Sequence, residues 1–503
     1  MEASQIATLD DLLTSQRQSL AAAVKADGPN EHQVEIDRLV WSHAHAEAAR
    51  ALGVWAAATN DPVPTEFASI AAEHAIAFAG DMPGASVESG RRLARLSTRL
   101  ESLEDLGAAD EHRALRSTLR ELADREIRPL AGRIHREDLD VPESIISAVG
   151  RFGLFGMSIP TRYGGVQDGQ DTRAMLIATE ELSRASLAAG GSLSTRPEIL
   201  VRALLRGGTE TQKQRWLPAI ATGEQLVAVG VTEPDYGSNV ADITCRASRA
   251  GETDWEFNGT KLWCTFAGRA ELLMVLARTG QAGHRGLSAF VIEKPAFAGH
   301  DFEYVQEGGG RLTGRAIPTI GYRGMHTFEL SFDHFLAPTD SLIGGDAWLD
   351  RGFYLQMEGF GLGRIQTAGR AVGLMQAAFG DALAYARDRE VFGRPIGANE
   401  LARAKLGKMA LRLQASRQLS YRAGEELDRG GGQVEASVAK LYASKMAEKV
   451  TRDAAQMHGA MGYSEETDVS RYFLDARVLP VFEGAEEILS LRVIGRALLE
   501  GVS

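Results

Sequence analysis

A chain of 503 residues is too long for one ordinary core, so about two to four domains are expected, and its 44% hydrophobic and 24% charged residues are those of a globular protein. The net charge of −12, from 55 basic and 67 acidic residues, argues against a nucleic-acid-binding surface, and two cysteines, Cys245 and Cys264, exclude a disulfide framework or a cysteine-rich metal site. The first residues carry no basic-then-apolar leader, and no apolar run reaches about 18 residues, so the expectation is a cytoplasmic protein with no membrane segment.

Residues 1–107 read as helices rich in Ala, Leu and Glu, with breaks at Asp27-Gly28-Pro29-Asn30, Asn60-Asp61-Pro62 and Met82-Pro83-Gly84. His43 and His45 stand two apart, point to different sides of a helix, and are expected as polar helix residues. This segment carries no chemistry and reads as an extension for packing or assembly. A second helical block spans 108–227, with Ala114, Leu115, Leu119, Leu122 and Ala123 at helical spacing. The turn Ile159–Gly165 interrupts it. The passage Gly190-Gly191-Ser192-Leu193-Ser194-Thr195-Arg196-Pro197-Glu198 then opens another helix and holds one cation, Arg196, in small uncharged text.

Over 228–345 the period changes to that of strands: Val227–Val231, Trp255–Phe257, Leu272–Leu276, Ser288–Ile292 and Phe328–Phe332, separated by turns such as Asn258-Gly259. From 346 to 503 the text is helical again, with amphipathic stretches at 354–389, 400–428 and 433–457.

Three places carry chemistry. In Gly230-Val231-Thr232-Glu233-Pro234-Asp235-Tyr236-Gly237-Ser238, a strand ends in a turn with exposed donors, which suits a flavin edge or a phosphate. In Lys261-Leu262-Trp263-Cys264-Thr265, alternation puts Trp263 and Thr265 on one face, an indole to stack on a flat ring and a hydroxyl to bond it; a strand aromatic is also ordinary core. In Val481-Phe482-Glu483-Gly484-Ala485-Glu486, a carboxylate follows an apolar run and precedes a glycine. Desolvation favours the neutral acid, and the missing Cβ opens an approach for a carbon acid. The same residues also suit a plain helix N-terminus, where the dipole favours Glu.

Together these pieces resemble the acyl-CoA dehydrogenase family over about 110–500. The matching motifs are I-P-x-x-Y-G-G at 159–165, G-T-E-x-Q-K-x-x-W-L-P at 208–218, V-T-E-P-x-x-G-S at 231–238 and N-G-x-K-x-W-x-T at 258–265. They continue with G-Y-R-G-M at 321–325, R-x-x-F-G at 389–393, Q-M-H-G-A-M-G-Y at 456–463 and D-A-R-V-L-P-V-F-E-G at 475–484. The resemblance implies a mostly α fold with a central β domain: an α-helical domain at 108–227, a β-barrel or sandwich domain at 228–345 and a four-helix bundle at 346–503, behind an N-terminal helical extension at 1–107.

It implies FAD as cofactor and an acyl-CoA thioester as substrate. Thr232 and Thr265 match residues that hydrogen-bond the flavin ring, Trp263 the aromatic packed on it, and Ser238 a phosphate-side contact. Arg389, Phe392, Gln456 and Gly459 match residues reaching the FAD of a neighbouring copy, so a homo-oligomer, dimer or tetramer, is implied. Glu483 matches the base that removes the pro-R α-proton while the β-hydride goes to flavin N5. The Glu483 backbone N–H and the flavin ribose polarise the thioester carbonyl. Arg196, Arg364 and Gly484 are implied on the substrate side, and an electron-transfer flavoprotein as acceptor. No metal, nucleic acid or membrane is implied.

A minority branch of the family carries its base just before an Arg; here that text is Gly361-Leu362-Gly363-Arg364, with no carboxylate. Departures from the pattern are Asn239 for Asp, Met325 for Ser, Ala460 for Gly, Asp468 for Pro, Leu474 for Arg and Ala485 for Thr, the last at an FAD contact.

The front extension, the S-T-R-P-E text and the lead-in Glu307–Gly314 resemble one subgroup, the enzymes that oxidise methylsuccinyl-CoA in the ethylmalonyl-CoA route. Its substrate ends in a carboxylate, which needs a buried cation, and Arg196 stands where other members carry small neutral or amide residues. An oxidase for the same class of substrate, a dehydrogenase for another short or branched acyl-CoA, and a DNA-associated non-enzymatic relative are the alternatives. The net charge and the lack of a basic C-terminal face weigh against the last.

Overall fold

The computed structural model describes residues 3–59, 61–82, 86–96, 100, 103–166, 168–169 and 171–500, with the side chains of Glu104 and Glu358 excepted. The expected breaks at Asn60 and at Pro83-Gly84 lie outside the described residues. Two compact units emerge: residues 1–121, 172–185 and 364–503 form one, and residues 122–171 and 186–363 the other. Compactness thus groups the segments differently from chain order, with the front helices sharing a unit with the C-terminal ones.

The first unit is helical: Ala3–Asp27, Gln33–Thr59, Pro62–Ala79, Val87–Leu96, Thr172–Ala185, the end of the long helix Gly352–Asp388, Glu400–Asp428 and Gln433–Met457. Local sequence sets several starts. Asp61 accepts the Val63 N–H as N-cap with Pro62 at the first turn, where proline's missing N–H and fixed φ cost nothing. Front helices meet C-terminal ones through Ser490 Oγ to Asp37 at 2.6 Å and Arg422 to Glu47 at 3.2 Å.

His45 lies on the helix Gln33–Thr59, as expected, but is half-buried against aromatic rings. It lies among Trp41, Phe78 and Tyr442, and burial pushes its imidazole down to about 4, leaving it neutral at physiological pH. A buried charge network also crosses this unit. Arg116 binds Glu180 at 2.9 Å and Glu181 at 2.6 Å, and Arg417 and Tyr421 meet the same Glu180.

The second unit holds the helices Arg128–Glu137, Glu143–Arg151, Glu198–Gly207 and Glu210–Thr222 and one sheet. The G-T-E-x-Q text is a helix start. Thr209 and Gln212 form a capping box, each satisfying an otherwise orphan N–H of the other's backbone. The strands are β1 (Val227–Gly230), β2 (Arg246–Ala250), β3 (Asp254–Thr265), β4 (Leu272–Arg278), β5 (Leu287–Glu293), β6 (Asp301–Val305), β7 (Arg311–Ile317) and β8 (Thr327–Pro338). Their order is β1-β4-β2-β3-β8-β7-β6, with β5 against β4. The core forms where Trp216, Leu217 and Ile220 pack on Leu272, Met274 and Val291. No described helix is long and apolar enough to cross a membrane.

Candidate active site

In the second unit, the turn after β1 is held from behind by a buried ion pair. Glu233 accepts from Lys261 Nζ at 2.7 Å, from the Thr244 N–H at 2.6 Å and from the Cys245 N–H at 2.9 Å. Lys261 also donates to the Val231 carbonyl at 3.1 Å. Burial raises the Glu233 carboxyl, but the Lys261 charge and these bonds hold it below its ordinary value. This clamp brackets Thr232, whose half-buried side chain has no hydrogen-bond partner among the described residues; Ser238 is exposed at the far end of the same turn. Cys245 and Cys264 are buried thiols, pushed by burial up to about 11 and about 12, and are inert.

β3 departs from the expected alternation. Its register against β8 shifts between Lys261 and Cys264, and Trp263 takes φ 60°. The buried positions pass from Trp255, Phe257 and Lys261 to Cys264, so an extra residue resets the pleat. The i, i+2 rule therefore does not place Trp263 and Thr265 on one face. The bulge instead leaves the Trp263 side chain 54% exposed, while Thr265 is half-buried, its hydroxyl 3.4 Å from that of Thr327.

Arg196 lies in the same unit, in the turn between Leu193–Thr195 and the helix Glu198–Gly207. Its Nε is buried with no hydrogen-bond partner, as is Ser192 Oγ one turn before it. Glu198, the nearest carboxylate in sequence, is taken by Arg202 at 2.8 Å. Arg196 as a whole is half-buried, and a buried N–H left unmet is costly unless a ligand supplies the acceptor.

In the first unit, Glu483 sits at a sharp corner after Pro480. It has φ 54° and Gly484 has φ 99°; two consecutive left-handed residues strain the first and favour glycine at the second. Glu483 Oε2 is buried without a hydrogen-bond partner. Its backbone N–H likewise has no partner among the described residues. Lys440, 0% exposed, donates Nζ to the Gly484 carbonyl at 2.7 Å and so ties the helix Gln433–Met457 to the corner. Burial pushes the Lys440 ammonium down to about 7, with Glu483 the chief opposing charge. Arg364, bonded to Ser437 Oγ at 3.2 Å, is lowered by burial and raised by the same carboxylate. Phe482 lies under Arg370, 5.3 Å from its ring centre. A buried carboxylate oxygen with no hydrogen bond among the described residues is free to take a proton.

Also in the first unit, Arg389, Phe392, Gln456 and Gly459 are all exposed. Phe392 tops a two-residue hairpin between Glu390–Val391 and Arg394–Pro395 with φ 53° and 103% exposure.

Family models describing the N-terminal, middle and C-terminal domains of acyl-CoA dehydrogenase match residues 109–224, 228–335 and 350–499. The chain belongs to the acyl-CoA dehydrogenase family. It is 38% identical over 397 residues to (2S)-methylsuccinyl-CoA dehydrogenase of Cereibacter sphaeroides, covering 78% of this chain and 70% of that one. Among solved structures, butyryl-CoA dehydrogenase from Megasphaera elsdenii superposes with a TM-score of 0.71 at 29% identity, over 78% of this chain and 99% of that one. A glutaryl-CoA dehydrogenase from Mycobacterium smegmatis in complex with FADH2 gives 0.71 at 25% identity, over 81% and 99%.

As an acyl-CoA dehydrogenase the chain is an FAD-dependent oxidoreductase acting on acyl-CoA. Its residues fit the cofactor: unpartnered hydroxyls at Thr232 and Ser238, on a turn braced by a buried ion pair, stand in the same unit as an exposed indole at Trp263. Sequence reasoning singled out these residues but missed Lys440 and the Glu233–Lys261 clamp. The signal for Lys440 was a lone cation in Val438-Ala439-Lys440-Leu441-Tyr442-Ala443, text otherwise small or apolar.

Proposed function

We propose that this acyl-CoA dehydrogenase oxidises a short branched acyl-CoA ending in a carboxylate, (2S)-methylsuccinyl-CoA to mesaconyl-CoA, with Glu483 taking the α-proton. The observation that carries the substrate is the buried, unmet Nε of Arg196. A terminal carboxylate would accept two parallel bonds from that guanidinium, one of them from the buried Nε–H that now lacks an acceptor. The name of the Cereibacter sphaeroides relative supports the same substrate.

In this reading Glu483 Oε2, with no hydrogen bond among the described residues to weaken it as a base, accepts the proton. The Glu483 N–H donates to the thioester carbonyl, where negative charge grows as the proton leaves. Bound FAD supplies a hydride acceptor for the β-carbon. Thr232, Ser238, Trp263 and Thr265 hold it from one copy, and Arg389, Phe392, Gln456 and Gly459 from another, making the enzyme a homo-oligomer. Gly484 leaves room for the thioester, and an electron-transfer flavoprotein takes the electrons. The chain divides into the helical extension 1–107 and domains at 108–227, 228–345 and 346–503.

The test is a comparison of kcat/KM for methylsuccinyl-CoA and 2-methylbutyryl-CoA in the parent and in Arg196→Ala. Removing the partner of a buried charge costs about 2–5 kcal/mol, so the dicarboxylic ester should lose roughly 30-fold or more while the neutral ester is unharmed. Equal losses on both would make Arg196 structural and leave the substrate as another short or branched acyl-CoA.

A further inference from the structure

In the second unit, well away in sequence from Glu483, three potential metal ligands converge. His300 Nε2 lies 3.0 Å from His326 Nε2, His326 Nε2 lies 3.3 Å from Asp138 Oδ1, and His300 Nε2 lies 3.5 Å from Asp138 Oδ2. Four donors around zinc at about 2.0–2.2 Å stand about 3.3 Å apart when tetrahedral. Two of these edges meet at His326 Nε2 near that spacing, the His300 edge runs to the other Asp138 oxygen, and one ligand atom from each residue lies within 4.8 Å of the others.

The segments that carry these groups are held in place by contacts other than those among the three side chains. Asp138 ends the helix Arg128–Glu137 in the left-handed region, with φ 52°. His300 precedes β6 and His326 precedes β8. The 321–326 segment is docked on the helix end by the Gly324 carbonyl, which accepts the Val141 N–H at 3.0 Å. Arg323 adds a bond to the His135 carbonyl at 2.9 Å. Gly324 has φ 109°, and a Cβ there would stand 2.8 Å from Ile134, so glycine is required for this approach.

A second layer orients the key imidazole. Asp140 Oδ1 lies 2.9 Å from His326 Nδ1, and its Oδ2 accepts the Gly299 N–H at 2.8 Å. With Nδ1–H given to Asp140, the lone pair of Nε2 faces Asp138 and His300. This is the carboxylate–histidine pairing that fixes tautomer and raises basicity in metal sites. The His326 side chain is 8% exposed while those of His300 and Asp138 are 49% and 40% exposed, so the cluster is anchored on one side and open to solvent on the other.

We infer that Asp138, His300 and His326 form a binding site for a divalent transition-metal ion, zinc by its donor set, with Asp140 as positioning residue and a solvent-facing fourth position. Two imidazoles and one carboxylate suit zinc and disfavour magnesium and calcium, which seek oxygen. The ion would tie the end of the helix to the two strands.

Untagged full-length holoenzyme, dialysed against a chelator, is titrated with zinc chloride in a calorimeter. The expected result is uptake of about one equivalent with a raised Tm, lost in His300→Ala and in His326→Ala and weakened about 10–100-fold in Asp140→Asn. Magnesium chloride under the same conditions should give no uptake. The exposed His300→Ala keeps the test decisive if the buried His326 variant loses its FAD. Absence of zinc uptake by the parent, equal uptake in His300→Ala, or equal uptake of magnesium would overturn the assignment.

Discussion

Lys261 and Lys440 are both 0% exposed, yet they end in opposite settings. Lys261 meets the carboxylate of Glu233 at 2.7 Å, and the pair is completed by two backbone N–H groups and the Thr244 hydroxyl. Among the described residues Lys440 hydrogen-bonds only a carbonyl, that of Gly484, and Glu483 acts on it through its field without a hydrogen bond. The first arrangement is saturated and serves as a frame for the turn that carries Thr232. The second is left short of one partner, and the unfilled bond is at the carboxylate proposed to do the chemistry. Saturated buried charges make scaffold, and undersaturated ones make reactivity.

The largest effect expected is at the undersaturated corner. Glu483→Gln keeps the shape and removes the base, so reduction of the flavin by acyl-CoA should slow by ~10²–10⁴ while the thioester still binds. Anaerobic stopped-flow bleaching measures this, and a near-parental rate would move the base elsewhere. At the saturated site the expected effect is on stability. Lys261→Met strands the Glu233 carboxylate in the interior and should cost about 3–5 kcal/mol in denaturant unfolding. The double variant Lys261→Met/Glu233→Gln should recover part of that loss, because no uncompensated charge remains. A double variant no more stable than the single one would show that the frame depends on more than the pair.

A smaller effect is expected at the exposed Arg389. On the proposed reading Arg389→Ala would remove a charge-assisted bond to the cofactor of another copy, on the order of 1.5–3 kcal/mol, and should lower the FAD content of the purified protein. Full retention would mean that the exposed set at 389–392 and 456–459 does not reach a cofactor.

The smallest effect concerns pH. The folded Lys440 is pushed down from 10.5 to about 7, so between those values the unfolded chain binds more protons than the folded one and stability rises with pH. Below about 7 the cost of burying the ammonium is fully present. Lys440→Met lacks this dependence, so the Tm of the parent should gain on that of the variant as pH rises from about 7 toward 10. A constant Tm difference over that range would mean the lysine is paired after all, and the contrast with Lys261 would dissolve.

The sequence by itself determined the succession of helical, β and helical text, because periodicity and turn residues act over a few positions. The stretches read at 400–428 and 433–457 are the helices Glu400–Asp428 and Gln433–Met457. The eight ordered motifs likewise carried the family, and with it FAD and acyl-CoA. Tertiary structure alone decided the bulge that turns Trp263 outward, since a register shift depends on β8 as well as on β3. It alone showed that His45 is half-buried among rings brought from three helices. It alone paired Glu233 with Lys261, set Lys440 against Gly484, and gathered Asp138, His300 and His326. Each of those is an electrostatic relation between residues from 26 to 188 positions apart, and charge acts through space, whereas sequence patterns report only on neighbours along the chain.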